Sequence, residues 1–206
     1  MIDRFKDWLP SMYRRYITHM EDAQPDGNCG FRSVAMGLGL DQNAWMWVRQ
    51  ELLDEMFINK ARWMPLLDSF DPGFYTTVYR SINWLHVEPA PMACWMFLPY
   101  AGLLVAQKFG VVVQHLSNGV CQTYFPMFDG PAEGHSVLSI AYVEDGHFIM
   151  VKLTDDGPMP PPNGLWNMYR STEAMEWETM YMSRLSEGKK LLRSNRSVRR
   201  DFINLL

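Results

Sequence analysis

The 206 residues are 48% hydrophobic and 20% charged, with a formal net charge of −4 at neutral pH. That length and apolar content suit one globular domain with an ample core, and the acidic balance gives no reason to expect nucleic-acid binding by the chain as a whole. No run approaches the ~18 apolar residues of a bilayer span, and residues 1–7 lack the apolar centre of a secretory signal. Eight Trp and 16 Met imply a bulky, adaptable core or an apolar recognition surface. Cys29, Cys94 and Cys121 form no metal-binding spacing and are odd in number. A reducing, intracellular setting is therefore expected, cytoplasmic or nuclear.

In chain order, residues 1–19 read as an aromatic lead-in, with Trp8, Tyr13 and Tyr16 expected to pack on the domain or on a partner. His19 reads as a surface or packing residue. Residues 24–35, Gln-Pro-Asp-Gly-Asn-Cys-Gly-Phe-Arg-Ser-Val-Ala, combine turn formers (Pro25, Asp26, Gly27, Asn28) with the start of an apolar helical pattern at Phe31, Val34, Ala35 and Leu38. Gly37 and Gly39 end that helix. A cysteine in its first turn lies at the positive end of the helix dipole, which favours the thiolate. Gly27 lets the backbone approach a substrate, and N–H groups around Cys29 can face a developing oxyanion. The alternative is a small buried structural cysteine.

A second helix is predicted over residues 44–59, capped by Asp41 or Asn43, with Trp45, Val48, Leu52 and Met56 facing the core. Arg49, Glu51, Asp54 and Glu55 are placed mostly on its wet side. Residues 60–91, punctuated by Pro65, Pro72, Gly73, Pro89 and Pro91, read as an irregular or short-helical arm. A third, largely buried helix is predicted over 95–108, followed by strands at 111–116 and 120–125 joined at Ser117-Asn118-Gly119. Two more strands follow, over 136–143 and 147–153, separated by Glu144-Asp145-Gly146. After a Pro-rich turn at 158–162, a helix is expected from about 173 to 186, with Trp177, Met180, Tyr181 and Leu185 on one side. Lys189, Lys190, Arg193, Arg196, Arg199 and Arg200 read as a solvated basic tail. Helices followed by a compact run of strands indicate an α+β domain.

A thiol nucleophile needs a base within hydrogen-bond reach, and the base needs an orienting group. Of the five histidines, His147 is placed best: it follows a glycine turn and opens an apolar strand anchored by Phe148, Met150 and Leu153. His86, His115 and His135 lack that combination.

The stretch Asp26-Gly27-Asn28-Cys29, with Phe31 and Arg32 after it, resembles the cysteine box of the ovarian-tumour (OTU) domain proteases. Gly30 stands where many members carry Leu, as it does in some members from mobile-element-derived proteins. Trp95, the strand over 111–116 and His147-Phe148 follow in the order that family uses, so the resemblance covers roughly residues 20–155. It implies a papain-like fold with a small sheet of four or five strands flanked by helices. It divides the chain into a lead-in (1–19), a catalytic domain (20–155), a helical extension (156–188) and a basic tail (189–206). It also implies a cofactor-free cysteine deubiquitinase with ubiquitin or polyubiquitin as partner, Cys29 as nucleophile and His147 as base. Many members carry Asn or Asp two residues after the histidine, where this chain has Ile149. Asp26 is then the candidate third member, acting on His147 or shaping the oxyanion loop, and Gly27 and Asn28 are the loop's other candidates. The rival implied by Ile149 is an OTU-fold module that binds ubiquitin without cutting it.

Overall fold

A computed structural model describes residues 3–69, 71–144 and 146–203, apart from the side chains of residue 3 and of 195–203. The chain opens with 3-10 turns over Asp3–Trp8 and Arg14–Tyr16, then β1 (Ile17–Asp22). Four helices follow: α1 (Cys29–Gly37), α2 (Trp45–Ile58), α3 (Lys60–Asp68) and α4 (Phe74–Ile82). After a short 3-10 turn over Met92–Cys94 comes α5 (Tyr100–Phe109), then β2 (Val112–Leu116), β3 (Gln122–Tyr124), β4 (Val137–Val143) and β5 (His147–Leu153). The extension holds α6 (Gly164–Tyr169), a 3-10 turn over Glu173–Met175, α7 (Glu176–Met180) and α8 (Met182–Ile203).

The strands form one five-stranded sheet in the order β1-β5-β4-β2-β3. All neighbours are antiparallel except β2 and β4, which run parallel. This is the expected α+β architecture, a small sheet flanked by helices. Side chains alternate across a strand, and β5 uses both faces. Phe148 and Met150 join α1, α2 and α5 in the larger core, with Val34, Ala35, Leu52 and Leu104. Ile149, Val151 and Leu153 face the other way, onto Phe5, Leu9 and Tyr13 of the lead-in. Phe5, Leu9 and Tyr13 are each at most 1% exposed. The lead-in is thus the layer that closes the second face of the sheet.

Four expectations change. β1 was not anticipated, because as an edge strand it exposes most of its side chains and shows no apolar alternation. The arm over 60–91 contains two regular helices. α3 carries Pro65 inside it, and α4 (FYTTVYRSI) is rich in β-branched and aromatic residues that by propensity favour strand. Packing overrides propensity there: Tyr75, Val78 and Ile82 are buried on one face, and the Asp68 carboxylate accepts the Tyr75 N–H at 2.8 Å. In α2, Arg49 and Glu55 lie inside the protein rather than on its wet side. Glu55 accepts the Trp63 indole N–H at 2.9 Å. The helix expected over 173–186 is broken at Tyr181, and Met180 points to solvent while Trp177 and Leu185 are buried. Of the basic tail, Lys189, Lys190 and Arg193 lie on α8, whereas the side chains of Arg196, Arg199 and Arg200 lie outside the described residues. Among the described residues no helix is long and apolar enough to cross a membrane.

His115 puts a titratable group into the larger core. Its ring lies near Phe148, it is 8% exposed, and its Nε2 has no hydrogen-bond partner. Burial pulls its pKa down from 6.5 to about 4. Between those values the unfolded chain binds a proton that the folded chain refuses, so stability falls as pH falls through the window. Urea unfolding should show a loss of about 3 kcal/mol between pH 6.5 and pH 4 that is absent from His115→Leu.

Candidate active site

The cysteine turn is held from beneath by two arginines. Arg32, on the first turns of α1, bonds back to the Asp26 carboxylate through Nη2 at 2.6 Å and reaches Asn43 Oδ1 at 3.1 Å. The same carboxylate accepts the Asn28 N–H at 3.0 Å. Burial pushes the Asp26 carboxyl up, but the hydrogen bonds from Arg32 and Asn28 and the Arg32 charge outweigh it and hold it below the usual range. Asp26 therefore folds the turn onto α1.

Arg49 reaches the turn from α2 and is fully buried. Its Nε and Nη2 donate to Asn28 Oδ1 at 3.1 and 2.8 Å. Its remaining bonds go to the carbonyls of Ser81 (3.1 Å) and Ile82 (3.0 Å) at the end of α4, and to that of Cys94 (2.7 Å). The guanidinium also lies 3.8 Å from the centre of the Phe31 ring. Burial lowers its pKa to about 10, so it stays charged at neutral pH. Asn28, the residue before α1, would ordinarily cap the helix with its side chain. Here that oxygen is committed to Arg49, and no side-chain cap forms.

His147 opens β5, where the sheet ends and both layers come within reach. Its imidazole faces Cys29, and its Nε2 lies 2.7 Å from Asp22 Oδ1. Burial pulls the imidazole pKa down, but the hydrogen bonds and charges of Cys29 and Asp22 outweigh it and hold it above the ordinary value. The strand register explains the carboxylate. Asp22 of β1 pairs with Ile149 of β5, and residues paired across strands share a face with their diagonal neighbours. Asp22 thus stands beside the residue two positions after His147, and the group that Ile149 cannot supply arrives from the adjacent strand. Asp26, expected as the candidate third member, gives its carboxylate to Arg32 and Asn28 instead.

Cys29 lines a cleft of about 370 Å³ together with Ser81, Met92, Trp95, Phe97 and Tyr142. Trp95 packs closely against two glycines. A Cβ on Gly27 would come within 2.7 Å of the Trp95 indole nitrogen and 2.3 Å of the Ala90 carbonyl oxygen, and one on Gly146 within 3.1 Å of the Trp95 ring. Gly27 also has a φ of +77°, which L side chains rarely adopt. Gly30 is required by Met96, whose Cβ would lie 2.6 Å from a Gly30 Cβ. The Asn28 N–H is spent on Asp26, whereas the N–H groups of Gly27 and Cys29 have no acceptor among the described residues.

The structure therefore brings Cys29 and His147 together and places Asp26, Gly27 and Asn28 in the turn beneath them. Sequence reasoning missed Asp22 and Arg49 as parts of this site. Arg49 carried a signal: it falls four residues after Trp45 and three before Leu52, inside the apolar stripe. Asp22 carried none, because only the pairing of β1 with β5 puts it there.

No protein-family model matches the chain, and no curated protein matches it. In the arrangement of its backbone the chain is similar to two solved OTU structures. With the OTU domain of OTUD1 it shares 17% identity at a TM-score of 0.46, over 65% of this chain and 85% of that one. With the viral OTU domain protease from Dera Ghazi Khan virus the values are 15% and 0.47, over 69% and 85%.

Removing Arg49 leaves Asn28 Oδ1 and three buried carbonyls without their donor. Arg49→Met should lower stability by about 3–5 kcal/mol in denaturant titrations, and Arg49→Lys, which keeps the charge but fewer donors, should recover part of it.

Proposed function

We propose that the chain is a cysteine protease that hydrolyses the isopeptide bond at the C-terminus of ubiquitin or a related modifier. The carrying observation is the Cys29–His147–Asp22 line at the mouth of a cleft. The resemblance of the Asp26–Arg32 stretch and of His147-Phe148 to the OTU motifs supports the choice of substrate. So does the lining of the cleft: Trp95, Phe97 and Tyr142 beside Cys29 are bulky side chains of the kind that would confine a diglycine end. Exposed Met92 and Phe97, which line the cleft, offer apolar contact.

In the first step His147 takes the Cys29 proton, and the thiolate sulfur attacks the terminal glycine carbonyl. The Gly27 and Cys29 N–H groups receive the oxyanion, replacing contacts with water by fixed dipoles. Collapse of the tetrahedral species breaks the C–N bond, and the imidazolium gives its proton to the leaving lysine amine. Water, deprotonated by His147, then attacks the thioester and releases the ubiquitin carboxylate and the Cys29 thiol. Asp22 keeps the ring aimed and stabilises its cationic form. The rival reading, a binder that does not cut, drew on Ile149, and the Asp22 carboxylate removes that ground.

The test is cleavage of linkage-defined diubiquitins by wild type and variants whose fold is verified by circular dichroism. Cys29→Ala and His147→Ala should each lose at least about a thousand-fold in rate. Asp22→Asn should lose about ten- to a hundred-fold. Because the Asp22 bond raises the pKa of His147, the base, Asp22→Asn should also move the acidic limb of kcat/KM to lower pH. Wild type that binds the chains and leaves them intact would make the domain a reader of ubiquitin, and wild type that does neither would end the ubiquitin assignment.

A further inference from the structure

The lead-in does more than close a face of the sheet. Arg4 Nη2 donates to Asp22 Oδ2 at 2.8 Å while the other oxygen of the same carboxylate, Oδ1, lies 2.7 Å from His147 Nε2. Both oxygens are therefore held, one by the base and one by the lead-in. The neighbouring residue, Phe5, is fully buried, and its ring centre lies 5.9 Å from that of His147 at an angle of 35°. The Arg4 guanidinium lies 4.3 Å from the same Phe5 ring, and Glu144 of the β4–β5 turn approaches its Nε at 3.9 Å.

We infer that Arg4 is a positioning residue of the catalytic centre, fixing Asp22 so that its free oxygen stays on His147. The inference rests on the reading of Cys29 and His147 as nucleophile and base. Asp22 is the last residue of an edge strand and its side chain is about one-third exposed (32%), so without a second partner it can turn into water. Arg4 supplies that partner from a segment anchored by Phe5, Leu9 and Tyr13. The Arg4 side chain is 57% exposed, and exposed ion pairs contribute little to folding. Its loss should therefore be silent in stability and visible in the site, a combination that a merely structural arginine would not give.

The sign of the effect separates positioning from simple charge. Among the described residues, the titratable and charged groups facing His147 are Asp22 on β1 and Cys29 on α1, with Arg4 and Glu144 beyond the Asp22 carboxylate. If Arg4 acted only as a nearby positive charge, removing it would raise the His147 pKa. If it holds Asp22 in place, removing it costs the imidazolium its partner and the pKa falls.

The experiment is an NMR titration of the His147 ring in the full chain, comparing wild type with Arg4→Gln and Arg4→Lys, with Asp22→Asn as reference. Arg4→Gln should lower the midpoint by about half a unit, less than Asp22→Asn does. Arg4→Lys, which can still donate to Asp22, should recover most of the shift, and the melting temperature should stay within about 2 °C throughout. A midpoint that stays or rises in Arg4→Gln overturns the proposal, as does a shift that only accompanies a large fall in melting temperature. The titration needs no substrate. A negative result for Arg4 leaves the ubiquitin reading intact, and a chain that cleaves nothing still reports on Arg4.

Discussion

The site depends on one strand register. β1 pairs with β5 so that Asp22 lies opposite Ile149, and a slip by one residue would turn the Asp22 side chain to the other face of the sheet. With the register in place, a carboxylate from the edge strand reaches His147 at the end of β5, and His147 reaches Cys29 at the start of α1. What fixes the register is the apolar layer on that face. Met20 of β1 packs with Val151, Ile149 and Leu153 of β5 and with Phe5, Leu9 and Tyr13 of the lead-in. A burial-driven contact, which lacks direction, thus sets the position of a hydrogen bond that requires it.

On the other side of the cysteine the corresponding constraint is Arg49. A buried guanidinium is costly unless its donors are satisfied, and here the acceptors come from three separate places: the Asn28 side chain, the end of α4 and the Cys94 carbonyl. That requirement ties the cysteine turn to the segment carrying Trp95. The width of the cleft and the attitude of Cys29 are consequently set by the same side chain. The Asp26–Arg32 ion pair, with side chains 10% and 5% exposed, closes the turn from below. Cys29 and His147 are therefore held by different layers, the first by arginine bonds inside the helical core and the second by the sheet and lead-in.

The sequence by itself determined the elements whose causes are local. Turn formers before an apolar helical stripe placed Cys29 at a helix start, and a glycine turn before an alternating apolar run placed His147 at the mouth of a strand. The hairpins at 117–119 and 144–146 were legible for the same reason, because each is decided within a few residues. Tertiary structure alone decided what depends on distant neighbours. It made α4 a helix against its residues' strand preference, since burial of Tyr75, Val78 and Ile82 outweighs propensity. It drew Arg49 and Glu55 inward, because partners far along the chain satisfy them. It chose Asp22 over Asp26 for His147, since the first lies across a strand pair while the second is already bonded to Arg32. Proximity in the chain says where a residue can stand, and only packing says which of two nearby carboxylates meets His147.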